Sequence, residues 1–409
     1  MEDQTQSTDT QSAGKQTKLA IILSNLIHEP FSSLYVWLPF ILRKDLLASV
    51  FQISLLVTLK PVISILSFYF GSYCRGRNVR AIFLIAGVLA RVPFLLFPIF
   101  NSIWYFILAS TIYMLFYRAS IPPWMEILKI NLEKKKRQRY FSLGAALGYG
   151  EGVFLALYLG IFLDQHTEMW RLLFSIFAAI GIIGVLVQGM VPLSKEPALG
   201  ERKKLSLLKP WKDTLKLMRE RPDFAHFQWG FMAAGFGIMV VIVTLPLYFA
   251  DVLKLSHRDF ANSRYIFMGL GFILCTPLWN KVMSKLSVFQ MSSLVFVCFG
   301  IFPIAIILAK VSLYFLYAAF VIYGLAQSGS HLLWHLSGPL FADKEDSSMY
   351  SGINIVMVGV RGLAAPMLGG LLYSQFGPFF TLSVGMGMCI FGGWYILFKQ
   401  PKRVKETVL

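Results

Sequence analysis

Six charged residues, Glu29, Lys60, Arg91, Arg118, Glu151 and Arg361, interrupt stretches that are otherwise apolar and long enough to cross a bilayer. Placing one such group at the centre of a membrane helix costs roughly 2.5–3.5 kcal/mol on an insertion scale. Charges are kept at that cost where they face a polar cavity, and the chemistry open to them there is proton exchange and recognition of charged solutes. Glu29, with His28 beside it, falls near the middle of the first stretch and suits a proton-coupling carboxylate. Glu151 is the second proton-coupling candidate, a partner for Arg361 or Arg118. Arg118 and Arg361 offer a planar five-donor fork matched to carboxylate or phosphate. Lys60 would favour the ionised form of any carboxylate it meets. Arg91, in the third stretch, reads better as a structural pair, and Glu126 with Lys129 as gate or surface charges.

Four basic groups against two acidic ones inside the apolar stretches point to an anionic or zwitterionic small-molecule substrate. His331 and His335 stand four apart, on one helix face. Two histidines do not define a metal site, so His331 is read as a substrate-binding contact, with Trp334 beside it. Trp124, Tyr117, Tyr323 and Tyr350 could line a site or simply pack.

The elements that must position these groups follow from composition. Of 409 residues, 56% are hydrophobic and 14% charged, with a mean hydropathy of +0.63; a soluble chain carries about 25% charged residues. Apolar runs of this length span a hydrocarbon core of about 30 Å. Twelve are expected, at about 19–41, 47–70, 80–100, 103–125, 140–163, 169–192, 226–250, 263–285, 288–308, 312–338, 350–373 and 377–398. The expected class is an all-α polytopic membrane protein with twelve transmembrane helices in two six-helix halves and both termini cytoplasmic. The divisions are a disordered tail at 1–17, an N-terminal half at 18–192, a basic linker at 193–225, a C-terminal half at 226–398 and a tail at 399–409. With the termini inside, cytoplasmic segments hold 27 of the 38 Lys and Arg residues, outer loops and span edges seven, and the spans four. That is the positive-inside pattern. Within the linker, Leu208, Trp211, Leu215 and Met218 recur at helical spacing among basic residues, predicting an amphipathic surface helix over 206–221.

An internal repeat relates the halves. Trp124, Tyr140 and Glu151-Gly152 recur at the same intervals as Trp334, Tyr350 and Arg361-Gly362, and Gly160 then falls on Gly370. Duplication would put Glu151 and Arg361 at equivalent depths.

Two local motifs join these features. The loop after the second span runs from Gly71 through Arg75, Gly76 and Arg77 to Arg80, and the eleventh span carries Gly359, Gly362, Pro366, Gly369 and Gly370. On these residues, the twelve spans and the six-plus-six division, the chain resembles the major facilitator superfamily of secondary transporters over about residues 18–398. The resemblance implies alternating access, with Gly71, Arg75, Arg77, Arg80 and the glycines and proline of the eleventh span serving as gating elements. The chain departs from the family pattern at Arg75, which occupies the usual aspartate position of the loop.

No phosphate-binding loop, nucleophile–base arrangement or metal-ligand spacing occurs, so no cofactor is expected and the chain does not read as an enzyme. The cysteines, Cys74, Cys275, Cys298 and Cys389, form neither a disulfide nor a metal pattern. The net charge of +17 follows alternate loops and does not indicate nucleic acid. The leading reading is proton-coupled transport of a small organic anion or zwitterion in a bacterial cytoplasmic (inner) membrane, with the lipid bilayer as its surroundings. The alternatives are efflux of amphiphilic or drug-like compounds and a non-transporting receptor or scaffold.

Overall fold

The computed structural model describes residues 2–74, 76–193, 209–283, 285–342 and 347–398. Fifteen α-helices occur among the described residues. They are α1 (Glu2–Leu46), α2 (Val50–Ile65), α3 (Ser67–Cys74), α4 (Val79–Leu89), α5 (Val92–Leu95), α6 (Ile103–Asn131), α7 (Lys134–Gln165), α8 (Trp170–Gly189), α9 (Lys209–Glu220), α10 (Pro222–Asp251), α11 (His257–Ala261), α12 (Met268–Met283), α13 (Val288–Leu308), α14 (Leu313–Ala342) and α15 (Ser347–Phe398). A π-helical turn, Asn262–Phe267, joins α11 to α12.

Each expected span falls on helix, but breaks divide several. α4 stops before Arg91 because Pro93, in the first turn of α5, has no N–H to continue the ladder. Gly377 breaks α15 at φ +80°, a conformation glycine adopts without strain, and Pro378 follows it. Pro366 sits inside α15 without a break, leaving the Gly362 carbonyl without its helical donor. Six helical stretches among the described residues are long and apolar enough to cross a membrane: 14–46, 146–165, 167–189, 222–251, 288–308 and 352–398. The predicted surface helix is α9, within a residue of its expected end; its expected start and the rest of 194–208 lie outside the described residues, as does the tail at 399–409.

The chain packs as two compact units: residues 1–38 with 66–205, and residues 39–65 with 206–409. This grouping follows packing and differs from the sequence halves in assigning α2 and the end of α1 to the second unit.

In the first unit an aromatic knot of Phe31, Phe94, Phe97, Tyr113, Phe174 and Trp170 fixes α1, α5, α6 and α8. α1 starts at Glu2, where the sequence predicts a disordered tail. Thr17 is fully buried, and its hydroxyl accepts from Asn131 Nδ2 at 2.9 Å, which draws this polar segment onto α6.

In the second unit α15 packs against α2, α10 and α13. Here the glycines of the eleventh span are seams. A Cβ would overlap Ile65 at Gly359, Pro61 at Gly362 and Ser54 at Gly370, all on α2, while Gly369 meets Val243 and Val240 of α10. Backbones approach this closely only where no side chain intervenes.

Candidate functional site

In the first unit Glu29 lies on α1 against a groove in α7. The Ser33 hydroxyl, one turn on, donates to Glu29 Oε1 at 2.8 Å. The groove exists because Gly148 and Gly152 have no side chains; a Cβ at Gly152 would lie 2.8 Å from Oε1. Glu151 is the residue before Gly152 on α7. Its Oε2 is buried without a hydrogen-bond partner among the described residues. The structure thus sets Glu29 against the glycine face of α7, the helix that also carries Glu151.

Arg118 stands on α6, four residues before Pro122-Pro123. Its Nε is buried without a partner, and no hydrogen bond or ion pair holds its guanidinium among the described residues. Arg91 differs. It is 4% exposed, donates from Nη1 to the Gly87 carbonyl at 3.0 Å and from Nη2 to His28 Nδ1 at 3.1 Å. Arginine only donates, so Nδ1 is the acceptor and His28 carries its proton on Nε2, which donates to Gln188 Oε1 at 2.9 Å. Gly181 leaves room for the Arg91 side chain and Gly184 for the imidazole.

In the second unit Arg361 is 7% exposed. Its Nη1 donates to the Phe231 carbonyl at 2.7 Å and the guanidinium lies 4.7 Å from the centre of the Phe231 ring. A Cβ at Gly235 would overlap it, so α10 provides a glycine slot. Trp334 also packs on Phe231, 6.2 Å away between ring centres. Arg361 and Trp334 thus meet through Phe231. His331 is exposed, with its ring edge-on to Phe272 at 5.9 Å. Lys60 is exposed on α2.

Among the loop candidates, Arg77 stacks on Tyr73 at 4.0 Å and donates to its hydroxyl, and Arg80 donates to the Val191 carbonyl at 2.7 Å. Arg75 lies outside the described residues. Gly71 meets nothing that a Cβ would touch. Sequence reasoning missed Ser33, Gln188 and Phe231, which are ordinary in type and become informative only through their neighbours. Gly148 and Gly152 carried a readable signal, glycines four apart beside a glutamate.

An all-helical chain with apolar membrane-length helices and buried charges on them is a polytopic membrane carrier. The Major Facilitator Superfamily profile matches residues 30–337, and the chain belongs to that superfamily. It is an integral membrane transporter of a family of carriers rather than enzymes. Solved structures share its fold at low sequence identity. A POT family transporter in complex with 5-aminolevulinic acid superposes with a TM-score of 0.74 at 12% identity, covering 96% of this chain and 97% of that one. A point mutant of the nucleoside transporter NupG gives 0.70 at 16%, covering 94% and 100%. A bacterial homologue of the human lysosomal transporter Spinster, inward-facing and unoccupied, gives 0.63 at 14%, covering 94% and 95%. No curated protein matches the chain in sequence.

Proposed function

We propose that this chain moves a small organic anion or zwitterion across a bacterial cytoplasmic membrane by alternating access, coupled to protons. Its twelve helical spans each cross the bilayer, with both termini cytoplasmic; the bias of basic residues to one set of loops supports that orientation. The observation that carries the substrate class is Arg118, a guanidinium held by no carboxylate among the described residues. Arg118 is half-buried with its Nε enclosed, and an anionic substrate supplies the counter-ion that the described residues do not. Arg118 therefore leads recognition. Within the second unit, taken by itself, Arg361, which already has one N–H on the Phe231 carbonyl, is a candidate substrate contact, as are Lys60, Trp334 and His331.

Glu29 and Glu151 carry the coupling proton. Glu29 sits in the glycine groove of α7, and the Glu151 Oε2, buried without a donor among the described residues, gains by taking up a proton. The glycines of α15 and the basic loop around Arg77 and Arg80 serve the conformational change. Of the related folds, one is a nucleoside transporter and another binds 5-aminolevulinic acid; the latter ligand is a zwitterion of the proposed kind.

Purified protein in proteoliposomes tests this. Carboxylates, phosphorylated metabolites, amino acids and amphiphilic cations are offered with and without an imposed pH gradient. The expected result is gradient-stimulated anion or zwitterion flux, lost in Arg118→Gln and uncoupled from protons in Glu29→Gln or Glu151→Gln. Robust cation flux that survives Arg118→Gln would reject the assignment and favour amphiphile export.

A further inference from the structure

Arg264 is one of the seven basic residues at outer loops and span edges. It lies on the π-helical turn Asn262–Phe267, which is followed by α12. Arginines near the end of a membrane helix ordinarily extend their side chains outward to the interface. Arg264 does the opposite. Its guanidinium lies 5.8 Å from the centre of the Tyr323 ring, on α14, and Nη1 contacts Met268 Sδ, toward α12. A thioether is a weak acceptor and a ring face accepts no fork of hydrogen bonds, so most of the donors remain unused.

The surroundings are built to hold this geometry. Gly271 of α12 and Gly324 of α14 face each other's backbone, and a Cβ on either would collide with the carbonyl of Val321 or Met268. That seam brings the π turn against α14. The π turn adds a residue to the helical repeat and re-aims the side chains that follow it, a device frequent at functional sites. Tyr323 is 6% exposed, and Gln327 donates to its hydroxyl at 3.4 Å. The nearest acid along the chain, Asp259, is already taken: its Oδ1 accepts from Tyr317 at 3.2 Å and its Oδ2 from Ser256 at 2.8 Å. No carboxylate pairs with Arg264 among the described residues.

We infer that Arg264, backed by Tyr323 and Gln327, is a substrate-contact residue of the second unit that receives a planar carboxylate. The fork takes the two carboxylate oxygens in plane, and the tyrosine ring holds the guanidinium face. This rests on the anionic reading of the substrate and adds to it a recognition point independent of Arg118.

The test is thermal stabilisation of the detergent-purified full chain by benzoate and by benzamide, its neutral isostere. Benzoate is expected to raise the melting temperature of the wild type and benzamide not to. Arg264→Gln should weaken the benzoate response roughly tenfold or more in apparent affinity. Arg264→Lys should recover only part of it, because an ammonium cannot offer the fork. In the absence of ligand the Arg264→Gln protein should melt at or above the wild-type temperature, as expected when a charge is kept for binding. A lowered apo melting temperature, an unchanged benzoate response in Arg264→Gln, or no benzoate response in the wild type overturns the inference. If benzoate binding is unchanged in Arg264→Gln but lost in Arg118→Gln, this inference fails while the anionic reading stands. Equal stabilisation by benzamide removes both.

Discussion

Arg43 and Asp251 meet in a parallel two-point contact, Nε to Oδ1 and Nη2 to Oδ2, both at 2.8 Å. The remaining nitrogen, Nη1, donates to the Ala48 carbonyl, and the Tyr373 hydroxyl donates to Asp251 Oδ2 at 3.1 Å. The contact ties the ends of α1 and α10 to the middle of α15, just before its break at Gly377, within the second unit. The two side chains are 22% and 28% exposed, so solvent screens the pair only in part. A double-mutant cycle with Arg43→Gln and Asp251→Asn should give a coupling of about 1 kcal/mol, at the upper end for exposed pairs because the geometry is two-pointed. It should shrink as salt is raised. Melting curves of the four proteins measure it, and a coupling near zero at low salt would show that the contact contributes nothing.

The seam between α15 and α2 makes a compensation prediction. At Gly370 an added methyl would overlap Ser54 Oγ, whose residue is 1% exposed and cannot swing into open space. Gly370→Ala should therefore destabilise by about 1–3 kcal/mol, the usual result of overpacking. Adding Ser54→Ala removes the overlapping atom and should restore most of that loss. Gly71→Ala is the contrast: nothing lies within reach of its Cβ, so it should stabilise α3 by about 0.5–1 kcal/mol. Failure of Ser54→Ala to rescue would mean that the seam is not as tight as described.

The helices were legible because hydropathy and length report membrane segments directly: every expected span lies on helix, and the linker helix closes within a residue of its expected end. Breaks were partly legible. Pro93 and Gly377 with Pro378 mark them in sequence, whereas the π turn at Asn262–Phe267 has no residue signature. The charges announced themselves as candidates because each is expensive, but not which are satisfied. Arg91 and Arg118 look alike in sequence; only the side chains arriving from α1 and α8, His28 and Gln188, separate them. Arg264 does not stand out in sequence, because a place near a span end suggests snorkelling and the direction of a long side chain is a tertiary fact.

Asp223, three residues before the expected span at 226–250, gives an acid-side prediction. Burial would push its carboxyl up, but hydrogen bonds from Arg221 and from the backbone of Phe224 outweigh this and hold it below the usual range. Arg221 donates to both oxygens, at 3.1 and 2.9 Å, and also to the Tyr350 hydroxyl at 2.7 Å. A carboxyl depressed in the folded state contributes stability that is present above its unfolded pKa, about 3.9, and is lost as pH falls through the folded value. Wild type should be the more stable protein at pH 7 and should lose its advantage over Asp223→Asn below about pH 4. Melting temperatures across that range decide it; a difference that does not shrink as the pH is lowered through the acid range would mean the carboxylate is not the source.

The contrast between the two arginines of the first unit separates packing from binding. Arg91 is enclosed, with donors on Gly87 and His28 and the chain continued to Gln188. Truncating it leaves the His28 Nδ1 acceptor and the Gly87 carbonyl without this donor and a cavity where Gly181 gave way to it. Arg91→Ala should therefore cost about 2–4 kcal/mol of stability. Arg118 satisfies no protein acceptor among the described residues, so Arg118→Gln removes an unpaired cation. Its stability should be unchanged or higher by up to about 1 kcal/mol, while substrate flux falls at least about tenfold. Urea or heat unfolding alongside proteoliposome flux on both variants tests the pair. The reversed pattern, with a stable, active Arg91→Ala and an unfolded Arg118→Gln, would exchange their roles and take the substrate-recognition assignment away from Arg118.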